Sequence, residues 1–215
     1  MPIVTPPPPA GAAEAFEGGL DLFLAGPHLE RQLKHQADIG GAPKLPTLAD
    51  LRKPALPAPA PQQSFTLGLR PLSRQEGIAS AKPGSWRFYA GSTANDAIVG
   101  HTSQDASTGA WMLTHVAYGV RAAQLIEATR GLEQLAGLPP LDDFELRFLT
   151  IPGILVEAFW LASLTGGNDV AVVFPAPPYQ LQRRLNAQAV YEMPIFMNIV
   201  SALSAERLRF SARKG

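Results

Sequence analysis

Proline restricts this chain more than any other residue. Fourteen of its 21 prolines precede residue 84, from Pro2 and the run at 6–9, through Pro54, Pro57, Pro59 and Pro61, to Pro71 and Pro83. Each proline lacks a backbone donor and has a fixed φ, so a segment dense in them resists both a central sheet position and a long helix. A chain of 215 residues then holds one domain of ordinary size and a tail. The predicted division is a proline-rich, largely irregular arm with short helices over residues 1–63, and an α+β domain over residues 64–215.

Within the arm, residues 12–24 (AAEAFEGGLDLFL) put Phe16, Leu20 and Phe23 on one side of a helix that Gly18 and Gly19 weaken. Residues 27–38 make a second candidate, opening on Pro27, with a Glu30/Lys34 pair and Leu29 and Leu33 as a narrow apolar stripe. Residues 54–61 (PALPAPAP) read as a semi-rigid polyproline spacer.

From residue 64 short apolar runs alternate with turn residues. Strands are predicted at 65–69, 86–90 and 97–102, the last two as a hairpin. A long helix is predicted over 108–136, where Met112, Val116, Gly119, Val120, Ala123 and Ile126 recur at three- and four-residue steps ahead of Pro139 and Pro140. Strands follow at 144–151, 154–163 and 169–175, with glycine and asparagine at 164–168 suiting a hairpin loop. The run at 154–163 is short and apolar, which leaves helix open, but its neighbours favour strand. Residues 194–214 form an amphipathic helix with Phe196, Ile199, Val200, Leu203 and Phe210 on one face. The expected architecture is one antiparallel sheet of about five strands packed on one long helix.

Composition narrows the function classes. Lys plus Arg equals Asp plus Glu at 18 each, so no overall field draws nucleic acid. Residues 1–180 carry 12 basic and 16 acidic side chains, and residues 181–215 carry 6 and 2. Arg207, Arg209, Arg213 and Lys214 give a basic end that would suit an anionic membrane, or simple solvation of a terminal helix. The absence of cysteine rules out disulfides, thiolate chemistry and cysteine metal sites. The first residues lack a basic and apolar leader, and no stretch is long enough to span a bilayer, so the cytoplasm is the expected location.

Phosphate-loop, dinucleotide, zincin and nucleophile-elbow motifs are missing from the sequence, and no cofactor is expected. The most polar core segment, 100–109 (GHTSQDASTG), offers His101, Ser103 and Asp105, with His115 placed one or two turns into the expected helix. Those residue types suit a hydrolase, which needs a nucleophile, a base and a group that orients the base. The plainer reading is loop polarity and a capping residue, since alternate strand residues share a face by geometry alone. Glu157, inside an apolar decapeptide, is an acid–base candidate or a metal ligand beside His101 or His115 if buried, and an ordinary exposed strand residue if not. His28 and His35 share a helical face without a complete ligand set, so no metal is assigned. Trp86, Phe88, Trp111, Phe159, Trp160 and Phe174 read as core or interface, and 174–179 (FPAPPY) as a strand terminator.

The function expected on these grounds is a non-enzymatic protein-interaction or assembly module that binds another protein or a copy of itself. Phe196, Ile199, Val200 and Leu203 are its groove-binding anchors, unless that helix closes the domain's own core. The alternative is a hydrolase or metal-dependent enzyme built around His101, His115 and Glu157.

Overall fold

The computed structural model describes residues 2–26, 58–91, 96–139, 142–174 and 181–212. The predicted helix at 27–38 with His28 and His35, the first half of the polyproline spacer, nearly all of the 174–179 terminator, and Arg213 and Lys214 lie outside those residues. Among the described residues there are nine strands and four α-helices. They fall into two compact units: of the described residues, 2–6, 62–84, 131–139, 142–174 and 181–212 form the first, and 7–26, 58–61, 85–91 and 96–130 the second.

In the first unit, β6 (Phe144–Ile151) is the central strand. Its register with β7 (Val156–Ser163) is antiparallel, from Phe144 opposite Ser163 to Ile151 opposite Val156. Beyond β7 come β8 (Val170–Val173) and the three-residue β9 (Val190–Glu192), also antiparallel. The other side of β6 takes two parallel partners in succession, β1 (Ile3–Val4) against Phe144 and Glu145, and β2 (Gln62–Thr66) against 147–150. Ile3 and Val4, shortly before the 6–9 proline run, are therefore strand-paired, and the Phe144 amide donates to the Pro2 carbonyl.

The run at 154–163 resolves as strand after a short 3-10 turn at Pro152–Ile154, with Leu155 at φ 54 making the bend. Asp169 pins the hairpin that follows. Its carboxylate accepts from Trp160 Nε1 at 2.8 Å and from the Ser163 amide at 2.9 Å.

The core of this unit is closed by α4 (Met193–Ala212) and the short α2 (Leu69–Ser73). Phe196 and Val200 are fully buried, Leu203 nearly so, and Ile199 packs against the same cluster, which includes Leu72, Leu149, Ile151, Ala158 and Val173. The groove-binding anchors expected from the sequence thus fill their own unit's core, because the apolar strand face beneath them is wide enough to take the whole helical stripe. Phe210, at the helix end, stays exposed.

In the second unit three antiparallel strands, β3 (Lys82–Ala90, its first three residues in the first unit), β4 (Ile98–Gln104) and β5 (Trp111–Tyr118), carry α1 (Ala10–Ala25) on one face. α3 (Val120–Gly131) follows β5 directly. Phe16 of α1 stacks on Phe88 at 5.0 Å between ring centroids, inside a cluster with Ala12, Leu20, Trp86 and Ile98.

Two expectations on architecture change. The long helix over 108–136 is a strand and then a helix of 12 residues. Gly119 stands between them at φ 82, outside helical space, and the preceding WMLTHVAY run is rich in aromatic and β-branched residues that fit a pleated surface. The sheet strands outnumber the expected five, and β1 and β2 pair parallel to β6, so the pattern is mixed and is not packed on one long helix.

Candidate functional site

The contact between α1 and β5 depends on missing side chains. A Cβ on Gly19 would lie 2.5 Å from the Leu113 Cβ, and one on Gly11 would lie 2.8 Å from the Trp111 ring. On β4, Gly100 leaves the space that the Phe16 ring occupies. The glycine that weakens α1 as an isolated helix therefore lets it sit directly on the strand.

β5 then departs from regular alternation. Its register with β4 runs His101 to His115 and then Thr102 to Leu113, leaving Thr114 as an extra residue in a bulge. The shift carries Trp111, Leu113, Val116 and Tyr118 all to the α1 side, where they pack against its cluster.

β5 ends the strand order: among the described residues no strand pairs with its outer side. Its eight residues hold no charge of Asp, Glu, Lys or Arg and no proline. Beside that edge is a groove of about 640 Å³ lined by Ala15, Gly19, Leu22 and Phe23 of α1 and by residues 111–116 of β5. Leu22 is 77 % exposed and Met112 46 % exposed at this place. Unpaired backbone groups and apolar side chains thus lie together along one line.

The opposite face of the same strands holds most of the polar candidates. Arg87, His101 and His115 sit side by side across β3, β4 and β5, and the two imidazoles approach edge to face at 5.5 Å. Ser85 Oγ is 3.3 Å from His101 Nδ1. Burial first, then the Arg87 charge and His115, push the His101 pKa from the usual 6.5 down to about 3. This imidazole is neutral at physiological pH and a weak base.

Ser103 is 3.5 Å from Thr114 Oγ1 and does not reach either imidazole by a direct hydrogen bond. Asp105 is committed to the β4–β5 turn, where Oδ1 accepts from the side chain and amide of both Ser107 and Thr108 at 2.6–3.0 Å. Those donors hold its carboxyl at about 2, below the ordinary range. It closes a turn between two strands, and the helix it was expected to cap does not follow.

Glu157 belongs to the first unit, on β7 opposite Thr150, half-buried. His115 joins His101 because it is on a strand; the expected helix would have carried it elsewhere. Among the described residues no three His, Asp or Glu side chains gather as a metal site requires, and no helix is long and apolar enough to cross a membrane. The β5 edge escaped the sequence reading because the helical spacing of 112, 116, 119 and 120 masked it. The signal that would have found it is the uncharged aromatic and β-branched run at 111–118, ended by glycine.

No model of a known protein family matches the chain, and neither the curated proteins nor the solved structures contain a match to it.

Proposed function

We propose that this chain is a non-enzymatic protein-interaction or assembly module, and that it engages its partner through the outer edge of β5 and the groove beside α1. The observation that carries this reading is an eight-residue edge strand without charge or proline, bordered by an apolar groove. Sheet edges of that length are ordinarily blunted with lysine, proline, a bulge or a very short strand, because an open row of amides and carbonyls invites another strand, and of these β5 has only the bulge at Thr114. An added strand gains main-chain hydrogen bonds from the edge, and its alternate side chains find apolar surface in the groove.

The hydrolytic alternative draws less support. Ser85 and His101 are close, but the charges acting on His101 are Arg87 and His115, and no carboxylate contributes to its shift. A base that is oriented by an anion and poised near neutral pH is what such chemistry needs.

A photo-reactive side chain at Met112, compared with one at the exposed Leu164 in the β7–β8 loop of the first unit, tests the interaction reading in cells. Discrete covalent adducts at Met112, and none at Leu164, are the expected result. Absence of adducts at Met112 would overturn it.

A further inference from the structure

We propose that the occupant of the β5 edge is the β5 edge of a second copy of this chain, paired antiparallel about a two-fold axis between Thr114 and His115. This inference rests on the interaction reading above and names its partner.

The pattern of facing directions carries it. In an antiparallel pair, residues directly opposite each other point to the same side of the sheet. A strand of strict alternation pairing with itself about a point between two residues would set inward side chains against outward ones. β5 avoids that mismatch because of its bulge. Reading from Trp111 to Tyr118, the α1-side residues are 111, 113, 116 and 118, while 112, 115 and 117 face the other way and Thr114 is the extra residue. The sequence of directions is thus the same from either end. Self-pairing on this axis sets Trp111 opposite the second copy's Tyr118, Leu113 opposite its Val116, Met112 opposite its Ala117, and Thr114 opposite its His115. All four α1-side residues meet α1-side residues, and each of them is apolar or aromatic.

Charge and size agree with a second copy. Neither strand carries Asp, Glu, Lys or Arg, so the pairing puts no like charges face to face. The acids of α1, Glu14, Glu17 and Asp21, are exposed and do not line the groove. An eight-residue strand is about 27 Å long, and a strand edge plus one helix layer is about 20 Å deep, which makes the contact on the order of 500 Å² a side. Stable interfaces bury about 800 Å² a side, so the dimer is a reversible one that responds to concentration.

Two experiments on the full chain test the register and the association. The chain has no cysteine of its own, so the double variant Met112→Cys with Ala117→Cys introduces the only thiols. Residues five apart on a strand cannot reach each other, and both can reach their opposites across the axis. Oxidation is expected to give a covalent dimer, and the control pair Met112→Cys with Leu164→Cys is expected to give none. Sedimentation of the natural chain is expected to show concentration-dependent dimers. Met112→Lys, which places a charge at the edge, is expected to weaken them at least about tenfold, with an unchanged melting temperature at concentrations where the natural chain is monomeric. A chain that sediments as monomer at its highest soluble concentration, with no disulfide dimer from the first pair, would overturn self-pairing. If the Met112 photo-probe then captures a different polypeptide, the interaction reading stands without it; if it captures nothing, both fall.

Discussion

Among the described residues, β9 ends the strand order in the first unit and β5 ends it in the second, and the two meet the same physical problem differently. β9 has three residues, carries Glu192, and runs straight into α4, whose apolar stripe is spent on the core. β5 has eight residues, carries no charge, and is flanked by a helix whose Leu22 is left in solvent. A short charged edge offers little to a second strand, whereas a long neutral one offers a run of ladder on each side of its bulge. An apolar helical face in sequence does not tell these cases apart: the broad face at 194–214 is the one buried in its own unit's core, while α1 leaves Leu22 in solvent.

The comparison is broken most severely at α4. Phe196→Ala empties a fully buried site and is expected to cost about 3–5 kcal/mol in denaturant unfolding. A helix held in reserve for a partner would lose almost nothing. At α1 the test is steric: Gly19→Ala drives a Cβ into Leu113, with an expected loss of about 1–3 kcal/mol that overrides the helix propensity gained.

The His101 site gives a pH test. Below pH 6.5 the unfolded chain protonates this imidazole, while the folded chain resists until about pH 3. Stability therefore falls as pH falls through that window, with a slope from this one group of up to about 1.4 kcal/mol per pH unit, and above 6.5 the group contributes nothing. Subtracting the unfolding profile of His101→Gln from that of the natural chain should leave this slope; a flat difference would show that the imidazole protonates as it does in water. The smallest effect is expected at Gly18, where a Cβ meets nothing. Gly18→Ala should stabilise by about 0.5–1 kcal/mol, opposite in sign to its neighbour.

Much of the first unit was legible in the sequence. The alternating FELRFLTI run is β6, residue for residue, and the ambiguous 154–163 run was read as strand from its neighbours, as the structure has it. The end-to-end apolar face of α4 was also visible, and only its destination was not, because a helical stripe does not say which surface it covers. The first helix was found at 12–24 despite its glycines, but the reason for Gly19 is a contact with a strand nearly a hundred residues away.

The failures concentrate on 108–136. There a strand and a helix abut, and Met112 and Val116 of one happen to fall in step with Val120, Ala123 and Ile126 of the other. A single glycine at positive φ separates them, and no periodicity within the window reports it. His101 and His115 were both singled out, yet their adjacency comes from strand pairing that the helical assignment had excluded. The Thr114 bulge, which decides the facing pattern of β5, has no local signature at all.

Hydrogen exchange along β5 tests the central claim most directly. At low protein concentration the amides on its outer side should exchange almost as fast as those of an open chain, and they should slow as concentration rises. Those of β9 should not change with concentration. Outer β5 amides that exchange at one rate at every concentration, and with every candidate partner present, would contradict the assignment of β5 as the contact surface.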